Sequence, residues 1–96
     1  MPPSLAAVPF FDTVTSLVRE GRNFTLRQIA IIGICQQSKD PLTCADVARE
    51  LEIAQVVVGR AVDLLEHEGL VKRERLEEDR RKIYLHLTAT GKSFPA

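Results

Sequence analysis

The chain has no apolar run near the roughly 20 residues that a membrane-crossing helix needs, and no cationic segment leading into an apolar run at its start. The expectation is a cytoplasmic protein with no membrane partner. There are only two cysteines, Cys35 and Cys44, and both fall in predicted helices rather than in a loop-rich framework, which fits a reducing compartment. Cys44, at a helix start, could have a lowered thiol pKa suited to a redox switch; a small buried cysteine is the simpler reading. There is no Cys-x-x-Cys pair, no glycine-rich phosphate loop and no nucleophile in a catalytic setting, and His67 and His86 fall on different elements. Glu66-His67-Glu68 reads as the exposed end of a helix rather than a metal site. No enzyme activity, metal or cofactor is therefore expected. Internal repeats, linkers and low-complexity tracts are also absent. Net charge is missing too, with 13 Lys and Arg balancing 13 Asp and Glu.

What remains is a chain of 96 residues, 45% hydrophobic and 27% charged, enough for one compact domain with a core. Its neutrality hides an uneven distribution. Between Lys72 and Lys82 six basic residues (Lys72, Arg73, Arg75, Arg80, Arg81, Lys82) face four acidic ones (Glu74, Glu77, Glu78, Asp79). A local basic surplus is what phosphate contacts need.

Along the chain, Met-Pro-Pro-Ser lacks an apolar period and is expected to be loose. Phe10, Val14, Leu17 and Val18 then recur at helical spacing, and Gly21 can end that helix. Thr25 can cap a helix from Leu26 to about Gln37, although its centre, Ile29 to Cys35, is a β-branched run that would also suit a buried strand. After Lys39-Asp40-Pro41, Thr43 and Asp46 form a capping-box pair. Cys44, Val47, Ala48 and Leu51 make one apolar stripe; Val58, Ala61, Val62 and Leu65 repeat it after a turn at Glu52 to Gln55. Gly69 stops this helix. Two short amphipathic helices joined tightly make a helix-turn-helix. A weakly patterned strand, Val71 to Leu76, and an alternating one, Lys82 to Leu87, follow, joined by a hairpin tip from Glu77 to Arg80. In the alternating strand Ile83, Leu85 and Leu87 share one face, and Lys82, Tyr84 and His86 the other.

Three submotifs occur in order: Leu65-Glu66-His67-Glu68-Gly69-Leu70-Val71-Lys72-Arg73, then Glu78-Asp79-Arg80-Arg81, then Leu85-His86-Leu87-Thr88-Ala89-Thr90-Gly91. Together they resemble the signature of the MarR family, bacterial winged helix-turn-helix regulators, over roughly residues 24 to 91. The resemblance implies a mainly α fold with a small β-hairpin, divided into an arm and helix over 1–23, the winged domain over 24–91 and a tail over 92–96. It also favours helix over strand for Ile29 to Cys35.

For function the resemblance implies sequence-specific binding of double-stranded DNA by a transcriptional regulator associated with the bacterial nucleoid. The recognition helix would enter the major groove and the wing the minor groove. Contact candidates on the helix are Gln55, Val56, Val57, Gly59 and Arg60, joined by Thr43 at the start of the preceding helix. A solvated helix face is the plainer reading of the same positions. On the wing, Arg81 would enter the minor groove with Asp79 as its positioner, while Arg73, Arg75, Arg80 and Lys82 contact phosphates. Family members are dimers. Pro95 and the end of the chain leave no room for the usual C-terminal dimer helices, so a homodimer would rest on Phe10, Val14, Leu17 and Val18, on another surface, or on a partner. The N-terminal helix could equally just cover the core. The alternative class is a winged helix that holds another protein, favoured by zero net charge and by the apolar Val56-Val57 pair.

Overall fold

A computed structural model describes residues 9–94, with the backbone alone for Pro9, Phe10, Leu76, Asp79 and Arg80. The expectations for Met1 to Ser4 and Pro95, and for the side chains of Phe10, Asp79 and Arg80, lie outside the described residues. The elements run α1 (Pro9–Arg19), α2 (Leu26–Gln37), β1 (Leu42–Thr43), α3 (Cys44–Leu51), α4 (Gln55–His67), β2 (Val71–Leu76), β3 (Asp79–Leu87) and α5 (Ala89–Ser93). This is a winged helix-turn-helix: helices around one core, with a three-stranded antiparallel sheet ordered β1-β3-β2.

The ambiguous isoleucine run is helical, and its first turn shows why. Thr25 Oγ1 accepts from the Gln28 amide at 3.1 Å, and the Gln28 side chain accepts from the Thr25 amide at 2.8 Å. This reciprocal box satisfies two amides that a helix start would otherwise leave unpaired. With the start fixed, Ile31 and Ile32 turn fully into the core while Ile29 and Ile34 pack at its edge. Val47 of α3 and Val58, Val62 and Leu65 of α4 meet them there, each fully buried.

The core extends past both expected domain boundaries. Leu17 of α1 is buried in it, so this member of the expected dimer set packs within its own chain. Gly21, at φ +74°, lets the chain turn off α1, and the Arg22 amide donates back to the Leu17 carbonyl at 2.9 Å. At the other end, the expected tail contributes Phe94, which is buried and meets Phe24 edge-on at 5.4 Å. The Arg22 guanidinium lies over both rings, at 5.0 and 5.5 Å. Gln36 completes the attachment by donating to the Gly91 and Phe94 carbonyls, each at 3.0 Å.

The wing departs from expectation in two ways. First, Leu42 and Thr43 pair with Leu85 and Tyr84, adding a short third strand to the hairpin. Second, β3 begins at Asp79 rather than Lys82, so the tip shrinks to Glu77 and Glu78. Arg75 pairs with Ile83, yet the next residue, Leu76, pairs with Asp79. The register therefore skips Arg80, Arg81 and Lys82. A bulge of this kind bends a strand and re-aims its side chains, and here it falls on the basic run. No described helix is long and apolar enough to cross a membrane.

Candidate nucleic-acid interface

Helix α3 starts with a second capping box. Thr43 Oγ1 accepts from the Asp46 amide at 3.2 Å, and Asp46 Oδ2 accepts from the Thr43 amide at 3.0 Å. The backbone bond from Thr43, followed by the Thr43 hydroxyl and the nearby Arg49 and Lys82 charges, outweighs desolvation and holds the Asp46 carboxyl below its usual range. Asp46 Oδ1 accepts from Arg49 Nη2. Glu52 then closes α3 in the left-handed region, at φ 56° and ψ 43°, and the Ile53 amide reaches the Ala48 carbonyl at 3.1 Å. This one sharp turn sets α4 against α3.

On α4, Val58, Ala61, Val62 and Leu65 face the core, which leaves Gln55, Val56, Arg60 and Asp63 exposed on the opposite side. Ala54 precedes the helix and supplies no side-chain cap. Val56 is 66% exposed. Val57 is placed differently from the expectation that it shares the outward face: half-buried, it shares a shallow depression with Thr25, Arg27 and Gln28. The correction follows from helical spacing, since Val57 is one residue from buried Val58 and four from buried Ala61.

Arg73 requires a second correction. Expected as a phosphate contact, it is turned inward, its side chain only 26% exposed. Its guanidinium donates to Asp63 Oδ1 at 2.8 Å, to Glu66 Oε1 and to the Gly59 carbonyl at 3.0 Å. Its backbone amide also reaches Glu66 Oε2 at 3.3 Å. Desolvation pulls the Arg73 pKa down, but the two carboxylates together raise it above the ordinary value. Arg73 thus fastens β2 to the middle of α4. The position of Asp63 and Glu66, three residues apart just before the turn at Gly69, was the signal for this role in the sequence.

Between the start of α3, the start of α4 and the bulged end of β3 lies an open cleft of about 530 Å³. Thr43, Gln55, Arg81 and Lys82 line it, as do Arg49 and Tyr84, which the sequence did not single out. Arg81 and Lys82 are exposed, and so is Arg75 on β2. Burial, with the neighbouring Cys44, pushes the Cys35 thiol up to about 11. Among the described residues no cluster of His, Cys, Asp or Glu could hold a metal ion.

A family model described as MarR family matches residues 22–82, more than half of the chain. The uncharacterized HTH-type transcriptional regulator YwhA of Bacillus subtilis is 31% identical over 80 residues, which cover 83% of this chain and 52% of that protein. Among solved structures, a mutant of S. aureus MepR bound to an oligodeoxyribonucleotide superposes with a TM-score of 0.72 at 25% identity, over 83% of this chain and 57% of that one. The YusO protein of Bacillus subtilis gives 0.69 at 26% identity, over 82% and 54%. The chain spans about half the length of the curated relative it matches. The match over 22–82 covers the helix-turn-helix and reaches into the wing, and the chain belongs to the MarR family.

Proposed function

We propose that this chain binds double-stranded DNA with sequence preference and acts in transcriptional regulation, with α4 in the major groove and the β2–β3 wing in the minor groove. The observation that carries this reading is the bulge in β3. It leaves Arg81 and Lys82 at the edge of a cleft that Gln55, at the first turn of α4, also lines. A cation-bearing wing beside an exposed helix start suits a duplex, because phosphate contacts position the protein and the helix face reads bases. The MepR relative with bound oligodeoxyribonucleotide supports it. Arg75 and Lys82 serve as phosphate contacts, Arg81 as the minor-groove arginine, and Gln55, Val56 and Arg60 as the reading face.

Two-fold association belongs to the same reading, since paired recognition helices match a palindromic site. Val18 is 69% exposed and Phe11 also lies on the surface of α1, while Leu17 is spent on the core. In this reading the dimer surface draws on Val14 and Val18 of the expected set, with Phe11 beside them, and not on Leu17.

The test is a salt titration of binding to duplex DNA. Counterion release makes log K fall linearly with log salt concentration, by about 0.9 for each phosphate contacted. A steep slope, reduced in Arg81→Ala, is the expected result. The exposed Val56 favours a second reading, a protein-docking helix face; partner binding with a flat salt response and no affinity for duplex DNA would establish it instead.

A further inference from the structure

Arg49 lies on α3, outside both the recognition helix and the wing, and its side chain is 76% exposed. It is nevertheless not an unrestrained surface arginine. One oxygen of Asp46 accepts from Arg49 Nη2, while the other is fixed to the Thr43 amide at the first turn of the same helix. The carboxylate is thus held by the capping box and holds the guanidinium in turn. Such an exposed pair three residues apart adds little to stability. Its geometric consequence is larger, because a guanidinium has five N–H donors and the bond to Asp46 occupies one edge, leaving others to face solvent.

Arg49 lines the cleft together with Arg81 and Lys82 of β3. Lys82 is close enough to Asp46 to help hold its carboxyl low, which ties the two walls together electrostatically. Arg73 also borders this cleft, but Asp63 and Glu66 balance its charge. Among the described residues that line the cleft, Arg49 and Lys82 thus set two positive charges against the one carboxylate of Asp46. In helix-turn-helix proteins the first helix crosses the DNA backbone while the second enters the groove, and α3 is that first helix.

We propose that the α3–β3 cleft seats a DNA backbone phosphate between Arg49 and Lys82, with Asp46 as the residue that positions Arg49. This rests on the DNA-binding reading above and adds to the wing residue Lys82 a second ligand, Arg49, that lies outside helix α4 and the wing. A phosphate contact carries no base information, so its signature is a uniform loss of affinity.

The experiment compares the parent, Arg49→Ala, Arg49→Lys and Asp46→Asn on a mixed-sequence duplex of about 30 base pairs, across a salt series, with thermal melts as a check on folding. Arg49→Ala should lower the magnitude of the salt slope by about 0.9 per bound protomer while melting close to the parent. Arg49→Lys should retain the slope. Asp46→Asn keeps an oxygen for the Thr43 amide but loses the charge that holds Arg49, and should weaken binding with the slope nearly unchanged. If the parent binds with a steep slope and Arg49→Ala matches it in slope and affinity, the phosphate seat is refuted while DNA binding stands. If the parent shows no salt-dependent binding, both readings fail together.

Discussion

Arg73, on the first wing strand, donates to the Gly59 carbonyl in the middle of the recognition helix at 3.0 Å, with Asp63 and Glu66 closing around the same guanidinium. The wing is thereby fixed to α4 by a side chain rather than only by the chain reversal at Gly69. Arg73→Ala should lower stability by about 1–2 kcal/mol, since charge-assisted bonds are lost but Asp63 is largely exposed. For a domain of this size that corresponds to a fall in melting temperature of roughly 4–16 °C. The salt slope of DNA binding should hardly change. A variant that melts like the parent yet loses one unit of slope would return Arg73 to the role of phosphate ligand.

Gly91 supports a different contact. A Cβ built there would lie 2.0 Å from the Leu70 carbonyl oxygen and 3.2 Å from Leu87 Cδ2. Backbone cannot yield as a flexible side chain can, so Gly91→Ala should cost about 1–3 kcal/mol or more through displacement of α5. Gly33, inside α2, meets nothing within 4 Å, and Gly33→Ala should instead gain up to about 1 kcal/mol from helix propensity. Urea unfolding of the two variants should move the midpoint in opposite directions; equal shifts would contradict this account.

Cys35 makes a prediction about alkaline pH. Burial, and then the adjacent Cys44, raises its thiol from 9.0 to about 11 in the folded chain. A group whose folded pKa is raised contributes stability that is complete below the unfolded value and lost as pH rises through the folded one. The window here is therefore about pH 9 to 11. Unfolding midpoints measured across that range should fall less steeply in Cys35→Ala than in the parent. At pH 8 the native thiol should also resist iodoacetamide and react only on unfolding. Fast alkylation of folded protein at Cys35 would show that its thiol is not suppressed.

Much of this was legible because it is local. Thr43 and Asp46 announce a capping box by spacing alone, and the stripe through Val58, Ala61, Val62 and Leu65 fixes the buried face of α4. The isoleucine run in α2 had no period to read, because a helix buried on several sides loses the polar face that reveals it. What stayed hidden depends on partners distant in sequence. Phe94 is in the core because Phe24, Arg22 and Gln36 come to it from the other end of the chain. The bulge that exposes Arg81 and Lys82 exists only in the pairing of β2 with β3, which no single strand encodes. Arg73 looked like one more cation of a basic run until its carboxylates were in place.

Gly59 separates stability from recognition. It is half-buried beneath the Arg73 guanidinium, and a Cβ there would meet only Arg73 Nη2 at 4.0 Å, an ordinary contact. Within the fold, then, nothing requires glycine, and it costs about 1 kcal/mol of helix stability relative to alanine. Gly59→Ala should raise the melting temperature by a few degrees. If the missing side chain serves close approach of α4 to the floor of the major groove, the same variant should bind duplex DNA more weakly than the parent. The neighbouring Val56 gives the contrast, because its exposed methyl groups cannot form hydrogen bonds and suit a thymine methyl. Val56→Ser should relax a thymine preference at one base position without changing the salt slope. Gly59→Ala should reduce affinity for all sequences alike, as a steric spacer does. Selection from a randomised duplex pool with the parent and both variants distinguishes the two effects. Stabilisation of Gly59→Ala with full affinity would show that the glycine is neutral at the interface.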